Sequence, residues 1–317
     1  MNLFFQAHSD TAHAAAEHAN AVVDTAQHAA AGHGEMSVAE MFKYLFAHVQ
    51  DSNHLELPFI GEVHLPHFHP IHIGGIALDL SITKHVVFLW FAAALLIVAM
   101  MLAARANNKN RVPKGWGNLV EVFVKFIRDE IVLPNMGATG LKYMPYILTT
   151  FFYILLMNLL GLIPWGSSAT GNISVTAGLA IIAFIMIQIA SIRAQGFGHY
   201  LAHLTGGVPM FLWPIMIPIE ILGLFTKPFA LCIRLFANMT GGHLVIVSLF
   251  GLIFLFQSYL IGAVTTGFVV AINFLELFVA FLQAYVFTML TSIFMGLGIQ
   301  AGEQHHAHDE HKEGHAH

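Results

Sequence analysis

The sequence has few charged residues. Only 10% of its 317 residues are Asp, Glu, Lys or Arg, whereas 57% are hydrophobic, and the mean hydropathy is +0.70. A soluble domain carries about 25% charged residues. The shortage of charged residues excludes an ordinary water-soluble protein and indicates a polytopic membrane protein. The formal net charge of −5 describes mainly the ends and loops, so it says little about a partner.

Cysteine is almost absent as well. Cys232 is the only one, which excludes a disulfide framework within one chain and a metal site built from several thiolates. Because it lies in an apolar run, we expect it to be a packed small residue. The first residues also lack a basic segment followed by an apolar run, so no standard signal peptide is predicted.

Long runs without charge are what the sequence does have. Twenty uncharged residues separate Lys84 from Arg105, enough to cross a hydrocarbon core of about 30 Å. No charge occurs from Tyr143 to Ile192, and a Pro- and Gly-containing turn at 164–172 divides that run into a transmembrane hairpin. The predicted spans are 85–104, 144–163, 174–192, 215–256 and 262–298. The predicted fold class is an all-α polytopic membrane protein with about five membrane helices.

One further helix is predicted to lie on the membrane surface. Residues 116–133 are amphipathic, with Glu121 and Lys125 forming an i,i+4 pair on the polar side, and Pro134 is expected to end the helix. The predicted apolar face consists of Leu119, Val120, Phe123, Ile127 and Ile131.

Two polar, His-rich segments flank the membrane domain, which we assign to 84–300. The N-terminal extension, 1–83, predicts a helix over about 11–31 and a short second helix from Ser37. An extended stretch with four histidines follows; these are His64, His67, His69 and His72. Metal binding is an alternative there and in the tail, 301–317, but the spacing fits no familiar site. We interpret the extension as solvated and the tail as disordered.

The distribution of Lys and Arg predicts the orientation. Seven of them lie between 105 and 142, and Arg193 follows on the same side of the membrane, whereas the opposite side has only Lys43 and Lys84. Positive residues concentrate in cytoplasmic loops. The N-terminus is therefore predicted to be outside and the C-terminus in the cytoplasm.

The last two predicted helices contain rare polar residues. An arginine near the bilayer centre costs from about 2.5 to over 10 kcal/mol, so Arg234 is expected to mark an ion path or a buried counter-charge. Glu220 and Lys227 precede it at seven-residue steps, and Asn238 follows at i+4, so these residues lie near one helical face. On the second helix, Glu276 and Gln283 are also seven apart, with Asn273 three residues before Glu276.

An antiparallel hairpin brings these two polar faces together. Residues at equal height then have position numbers with a constant sum, and His243 with Glu276 gives 519 while Arg234 with Gln283 gives 517. Both sums imply a turn near 259. The 25 residues from Arg234 to the turn measure about 38 Å as helix, whereas the midplane lies about 15 Å from the surface. Two long, strongly tilted helices are therefore predicted, at roughly 65° from the normal against a usual average of about 20°.

These segments resemble subunit a of the F-type ATP synthase. The strongest match is LCIRLFANMTGGHL, residues 231–244, and it continues in LELFVAFLQAYVFTMLT, residues 275–291. Asn158, in LLMNLLGLIP, matches an asparagine of the family's helical hairpin. The chain departs from some bacterial members in having Gly161 where they have an acid. It also has His243 and Glu276 where those members have the acid and the histidine in the opposite order.

The resemblance implies a non-catalytic, proton-translocating stator subunit in the bacterial cytoplasmic (inner) membrane. Its implied partners are a ring of c subunits with membrane-buried carboxylates, the peripheral-stalk b subunits and the lipid bilayer, with no nucleic acid, cofactor or metal. Arg234 would separate two half-channels. The implied proton-path residues are Asn238, His243 and Glu276 on the outer side, Glu220 on the inner side, and Asn158 and Gln283 as hydrogen-bonding supports, with Gln283 beside Arg234.

Two alternatives fit the residues less well. A polytopic secondary ion transporter is expected to show repeated halves with interrupted helices, and no internal repeat is visible. A haem-binding subunit of the cytochrome b type needs paired intramembrane histidines, but only His243 lies well inside a predicted span. The choice between H⁺ and Na⁺ as the carried ion stays open.

Overall fold

The computed structural model describes most of the chain after residue 53. It gives four short strands between 54 and 78, and then residues 83–109, 115–163, 168–198, 200, 211, 213–256 and 258–313. The helices predicted at 11–31 and from Ser37, and the side chains of the four histidines at 64–72, lie outside the described residues.

Two small antiparallel hairpins precede the membrane domain. Strand β1 (His54–Leu57) pairs with β2 (Gly61–His64), and β3 (Ile71–Ile73) pairs with β4 (Ile76–Leu78). The sequence predicted extended chain here but no strand pairing. The all-α class therefore holds for the membrane domain, and the extension adds these strands to it.

The rest of the described chain is helical. Its α-helices are α1 (Lys84–Lys109), α2 (Trp116–Phe126), α3 (Leu133–Met136), α4 (Met144–Gly161), α5 (Ile173–Gln195), α6 (Trp213–Phe256) and α7 (Tyr259–Glu313). Five of them, α1, α4, α5, α6 and α7, are long and apolar enough to cross a membrane. The prediction of about five membrane helices is confirmed.

Local sequence explains where these helices begin and end. Asn172 caps α5, its side chain accepting a hydrogen bond from the Ser174 backbone N–H at 2.8 Å. Gly196 ends α5 with φ 77°, a left-handed conformation that glycine adopts without strain. Ser258 precedes α7, and its carbonyl accepts the Gly262 N–H at 2.8 Å. The turn between α6 and α7 thus falls within the predicted 257–262.

The last helix is longer than predicted. It runs from Tyr259 to Glu313, 55 residues, rather than from 262 to 298. The expectation of a disordered tail is therefore wrong for the backbone of 301–313. The segment contains Ala, Glu, Gln and Lys, which have high helix propensity, and it continues a helix that is already nucleated.

The amphipathic segment also continues past its predicted end. Helix α2 passes through a π-helical turn, Ile127–Val132, into α3, which contains Pro134 and ends before Gly137 at φ 61°. The wider turn accommodates a proline that lacks a backbone N–H. The Ile131 carbonyl accepts hydrogen bonds from the Asn135 amide at 2.7 Å and the Ser292 hydroxyl at 3.1 Å. The second of these bonds attaches the segment to α7.

The apolar face of this segment packs on the membrane helices. Ile127 and Ile131 are fully buried, and the Phe123 ring lies 6.0 Å from both the Phe151 and Phe281 rings. Leu119 is the exception in the predicted face, since it is 48% exposed. The predicted Glu121–Lys125 ion pair forms at 2.7 Å.

By their contacts, the described residues divide into two units. The larger unit, 51–243 with 270–317, contains the main hydrophobic core. The smaller one includes 244–269, the ends of α6 and α7 on either side of their turn. Within it, a groove of about 420 Å³ is lined by apolar side chains such as Leu249, Leu260 and Phe268.

The apolar lengths of α6 and α7 generate a prediction about tilt. Their apolar segments, of 41 and 45 residues, measure about 62 and 68 Å at 1.5 Å per residue. To lie within a core of about 30 Å, they must tilt by about 60° or more. We therefore expect spin labels on cysteines placed along 246–256, in a Cys232→Ser background, to change depth by about 0.75 Å per residue. A gradient near 1.5 Å per residue would mean upright helices.

Candidate functional site

Helices α6 and α7 bring their polar residues together within the larger unit. The Asn238 side-chain amide donates a 2.8 Å hydrogen bond to the side-chain carbonyl oxygen of Gln283. The Glu276 carboxylate lies against the backbone of Gly242. The position numbers of these two pairs add to 521 and 518, close to the predicted 517 and 519. The antiparallel hairpin and its register therefore agree with the sequence-based prediction to within about one turn.

The partner of Gln283 differs from the predicted one. Its side chain is only 3% exposed and accepts a hydrogen bond from Asn238, and no hydrogen bond joins it to Arg234. The reason is the small difference in register, which places Asn238, one turn further along α6, opposite Gln283. The Gln283 Nε2 is buried and has no hydrogen-bond partner among the described residues.

Arg234 points away from the core. Helix α6 buries Leu231 and Leu235, whereas Arg234 on the neighbouring face is exposed. No ion pair or hydrogen bond joins its guanidinium to any residue that the structure describes. Arg234 lies 21 residues after the start and 19 before the end of the apolar segment Trp213–Ile253. A permanently charged group thus stands near the middle of an apolar helix without a counter-charge within the described chain.

The Glu276 carboxylate occupies space that is available only because residue 242 is a glycine without a side chain. A Cβ atom added to Gly242 would lie 2.0 Å from the Glu276 Oε1 and 2.8 Å from its Cδ. The other carboxylate oxygen, Oε2, is buried and has no hydrogen-bond partner in the described part of the chain. His243 is half-buried next to Gly242, and among the described residues it forms neither a hydrogen bond nor an ion pair with Glu276.

Asn158 belongs to a chain of buried hydrogen bonds that the sequence did not reveal. Its Nδ2 donates to the Ala280 carbonyl of α7 at 3.3 Å, and its Oδ1 accepts from the Thr170 hydroxyl at 2.8 Å. The Ser168 hydroxyl lies 2.9 Å from that of Thr170, and the Ser168 carbonyl accepts from the His85 Nδ1 at 2.9 Å. Because a carbonyl only accepts, His85 carries a proton on Nδ1. This series of hydrogen bonds connects α1, the 168–171 turn, α4 and α7.

Neither His85 nor Ser168 nor Thr170 was predicted as part of the site. The sequence pattern predicts only that His85 lies at the edge of a span and that the turn is a connection, because the partners of these residues are far away in the sequence. The turn also explains Gly161, where a Cβ atom would lie 2.5 Å from the Ser168 Cβ. The space that an acidic side chain at this position would need is occupied by Ser168.

The remaining predicted polar residues lie apart from this group. Glu220 is half-buried near Tyr200, whose hydroxyl donates to Gln188 Oε1. Burial, and then the negative charge of Glu220, raise the pKa of the Tyr200 phenol, so Tyr200 stays neutral at physiological pH.

Lys227 lies 4.9 Å from the centre of the Phe294 ring, a cation–π contact. Asn273 is exposed on α7. Among the described residues, no three His, Cys, Asp or Glu side chains converge to hold a metal ion.

The fold and the polar residues of α6 and α7 together show what kind of protein this is. The protein is a polytopic membrane protein whose last two long helices carry ionisable and amide side chains inside apolar segments, among them Arg234, Asn238, His243, Glu276 and Gln283. The family model for the ATP synthase A chain matches residues 86–296, two thirds of the chain. The chain belongs to that family.

Curated relatives agree with the family model. The chain is 52% identical to ATP synthase subunit a of Myxococcus xanthus over 244 residues, 76% of this chain and 80% of the relative. It is 48% identical to ATP synthase subunit a of Chloroherpeton thalassium over 272 residues, 85% and 79% of the two chains. It is 46% identical to ATP synthase subunit a 2 of Chlorobaculum tepidum over 306 residues, 93% and 86%.

Gly242 offers a test of the Glu276 position with a matched control beside it. Gly242→Ala should displace the Glu276 carboxylate, because the new methyl group would overlap it, whereas a Cβ on Gly241 meets nothing within 4 Å. A displacement of about 1 Å in a reacting group can cost about 100-fold. The proton-path role that the resemblance implies for Glu276 predicts that proton flux per assembled complex falls by about ten- to 100-fold in Gly242→Ala and by less than about twofold in Gly241→Ala. Equal fluxes in the two variants would show that the carboxylate position is unimportant.

Proposed function

We propose that this chain is the stator subunit through which protons cross the membrane in an ATP synthase. The observation that carries the proposal is Arg234, exposed near the middle of an apolar segment and without a partner among the described residues. A cation in this place costs several kcal/mol unless an anion compensates it. The compensating anion is therefore sought on a neighbouring subunit.

The anion that fits is a membrane-buried carboxylate on a ring of c subunits. Arginine stays protonated under all physiological conditions, so a carboxylate that passes Arg234 must release its proton. The released and the incoming protons then take separate paths, one on each side of Arg234. A potential of about 100 mV supplies about 2.3 kcal/mol for each proton that crosses.

The outer half-channel passes Glu276, His243 and Asn238. One feature of the described residues supports this assignment. Glu276 and Gln283 each have a buried polar atom that no described residue satisfies, and such atoms are commonly paired with water. Because no direct bond joins His243 to Glu276, a proton passes between them through water in the channel. Gln283 holds Asn238, and Asn158 holds α4 against α7.

The inner half-channel begins near Glu220. This residue lies on α6 about fourteen positions before Arg234, or about 21 Å along the helix. With the N-terminus outside, that end of α6 faces the cytoplasm. The chain itself catalyses no chemical step, and it assembles with the c-ring and the peripheral-stalk b subunits in the bacterial inner membrane.

Replacing Arg234 tests the central claim. Arg234→Ala should reduce proton-driven ATP synthesis to background, because nothing else forces the passing carboxylate to ionise, and passive proton conductance should rise. Arg234→Lys should also fail, since an ammonium group lacks the planar fork and releases its proton more easily. The measurements are ATP synthesis and proton leak in vesicles that contain the assembled complex.

Arg128→Ala is the matched control, because Arg128 is an exposed cation outside the membrane helices. It should retain near-normal synthesis. Normal ATP-driven proton pumping by Arg234→Ala would refute the proposal. Failure of the chain to co-purify with a ring of small two-helix subunits would do the same.

Exchanging His243 and Glu276 tests the relay. Each single exchange, His243→Glu or Glu276→His, leaves two groups of one kind and should slow proton entry strongly. The double exchange restores one acid and one base, so its loss in proton flux per assembled complex should be smaller than the summed losses by at least about 1 kcal/mol. If the losses simply add, the two residues act independently.

A further inference from the structure

A groove of about 470 Å³ lies at the end of the α4–α5 hairpin where α4 begins and α5 ends. Its polar end is formed by Lys142 and Arg193, with the Thr139 side chain beside them. Lys142 comes two residues before α4, and Arg193 lies in the last turn of α5. The two cations therefore come from different segments and meet at one end of the helical hairpin.

These two cations have no counter-charge bound to them in the part of the chain that the structure describes. Within the described chain, neither Lys142 nor Arg193 forms an ion pair, and both are exposed. One carboxylate is present at the rim, that of Glu303, which accepts a 3.0 Å hydrogen bond from the Thr139 hydroxyl. Among the described side chains, two positive charges and one negative charge lie at this end of the groove, a net positive charge that suits an anion.

The other walls of the groove are apolar or aromatic. Met186 contributes from inside the span α5, and Ile299 from α7, while Tyr143 and Tyr146 line the groove near its polar end. Tyrosines are typical of the level of the lipid headgroups. On α5, next to Met186, Ile182 and Ile185 are 53% and 49% exposed, and they extend the apolar surface toward the membrane interior.

We propose that this groove binds the headgroup of an anionic phospholipid, with its phosphate between Lys142 and Arg193. The acyl chains lie along Met186 and the exposed isoleucines of α5. Basic pockets between membrane helices bind such headgroups. A free phosphate ion shares the headgroup chemistry, but it gains nothing from the apolar walls, and two solvent-exposed cations bind it weakly. The inference requires the membrane location of the chain but not the proposed proton path.

The experiment counts bound lipid on the full chain. The purified chain in uncharged detergent micelles is titrated with dioleoyl phosphatidylglycerol, and the bound lipid is quantified by native mass spectrometry. Each cation near a phosphate contributes about fivefold in affinity, so Lys142→Gln combined with Arg193→Gln should weaken binding by about 30-fold. The control pair, Lys125→Gln with Arg128→Gln, also removes two exposed cations but does not touch the groove, and it should change affinity by less than about threefold.

Further arms of the experiment distinguish the sources of the phosphate. Dioleoyl phosphatidylcholine should bind at least about tenfold more weakly, and inorganic phosphate at 10-fold excess over the lipid should not displace phosphatidylglycerol. The charge-conserving double variant, Lys142→Arg with Arg193→Lys, should keep most of the affinity. A photoreactive phosphatidylglycerol should label the wild-type chain at Met186 or Ile299, a result that does not depend on whether any variant folds.

Four outcomes would overturn the proposal. They are equal affinity in the groove variant and the control pair, equal binding of the two lipids, displacement by inorganic phosphate, and labelling confined to other helices. Occupation of the groove by a helix of another subunit in the assembled complex would likewise exclude the lipid.

Discussion

The cost of leaving a polar group unpaired in an apolar phase governs this molecule. Each buried polar atom must find a hydrogen bond within the chain, or water, or a group on a neighbouring subunit. The described residues divide accordingly into two sets. One set is satisfied internally and holds helices together, and the other is left unsatisfied, mostly along α6 and α7 with one further atom on Gln195 of α5.

The satisfied set connects segments that are distant in the sequence. The bonds from His85 through Ser168 and Thr170 to Asn158, and on to the Ala280 carbonyl, join three helices and a turn. In the segment that precedes α4, the Ile131 carbonyl of the π-helical turn accepts a hydrogen bond from the Ser292 hydroxyl of α7. Together these bonds fix α7 against the rest of the larger unit, and α7 in turn positions Glu276 and Gln283.

The unsatisfied set coincides with the proposed path. Of the buried polar atoms without partners among the described residues, three belong to Thr240, Glu276 and Gln283 on α6 and α7. Arg234 adds an unpaired charge on the same helix pair. A protein gains no stability from such atoms, so their concentration on one pair of helices is more consistent with transport than with packing. Gly242 also fits the proposed path, because the absence of a side chain there provides the space for the Glu276 carboxylate.

The sequence alone determined the five membrane spans, because they depend on long apolar runs, and it marked ends such as those of α5 at Asn172 and Gly196, but not the ends of α7 or of the amphipathic segment. It also determined the polar face and, to within about one turn, the hairpin register, since both follow from helical periodicity. Only the tertiary structure decided which polar groups meet. The register differs from the predicted one by about one turn, which is too small a difference to read from spacing. As a result, Gln283 accepts a hydrogen bond from Asn238 and forms none with Arg234. The partners of Asn158 and the pairing of the short strands were likewise decided by contacts between segments, and no local pattern records those contacts.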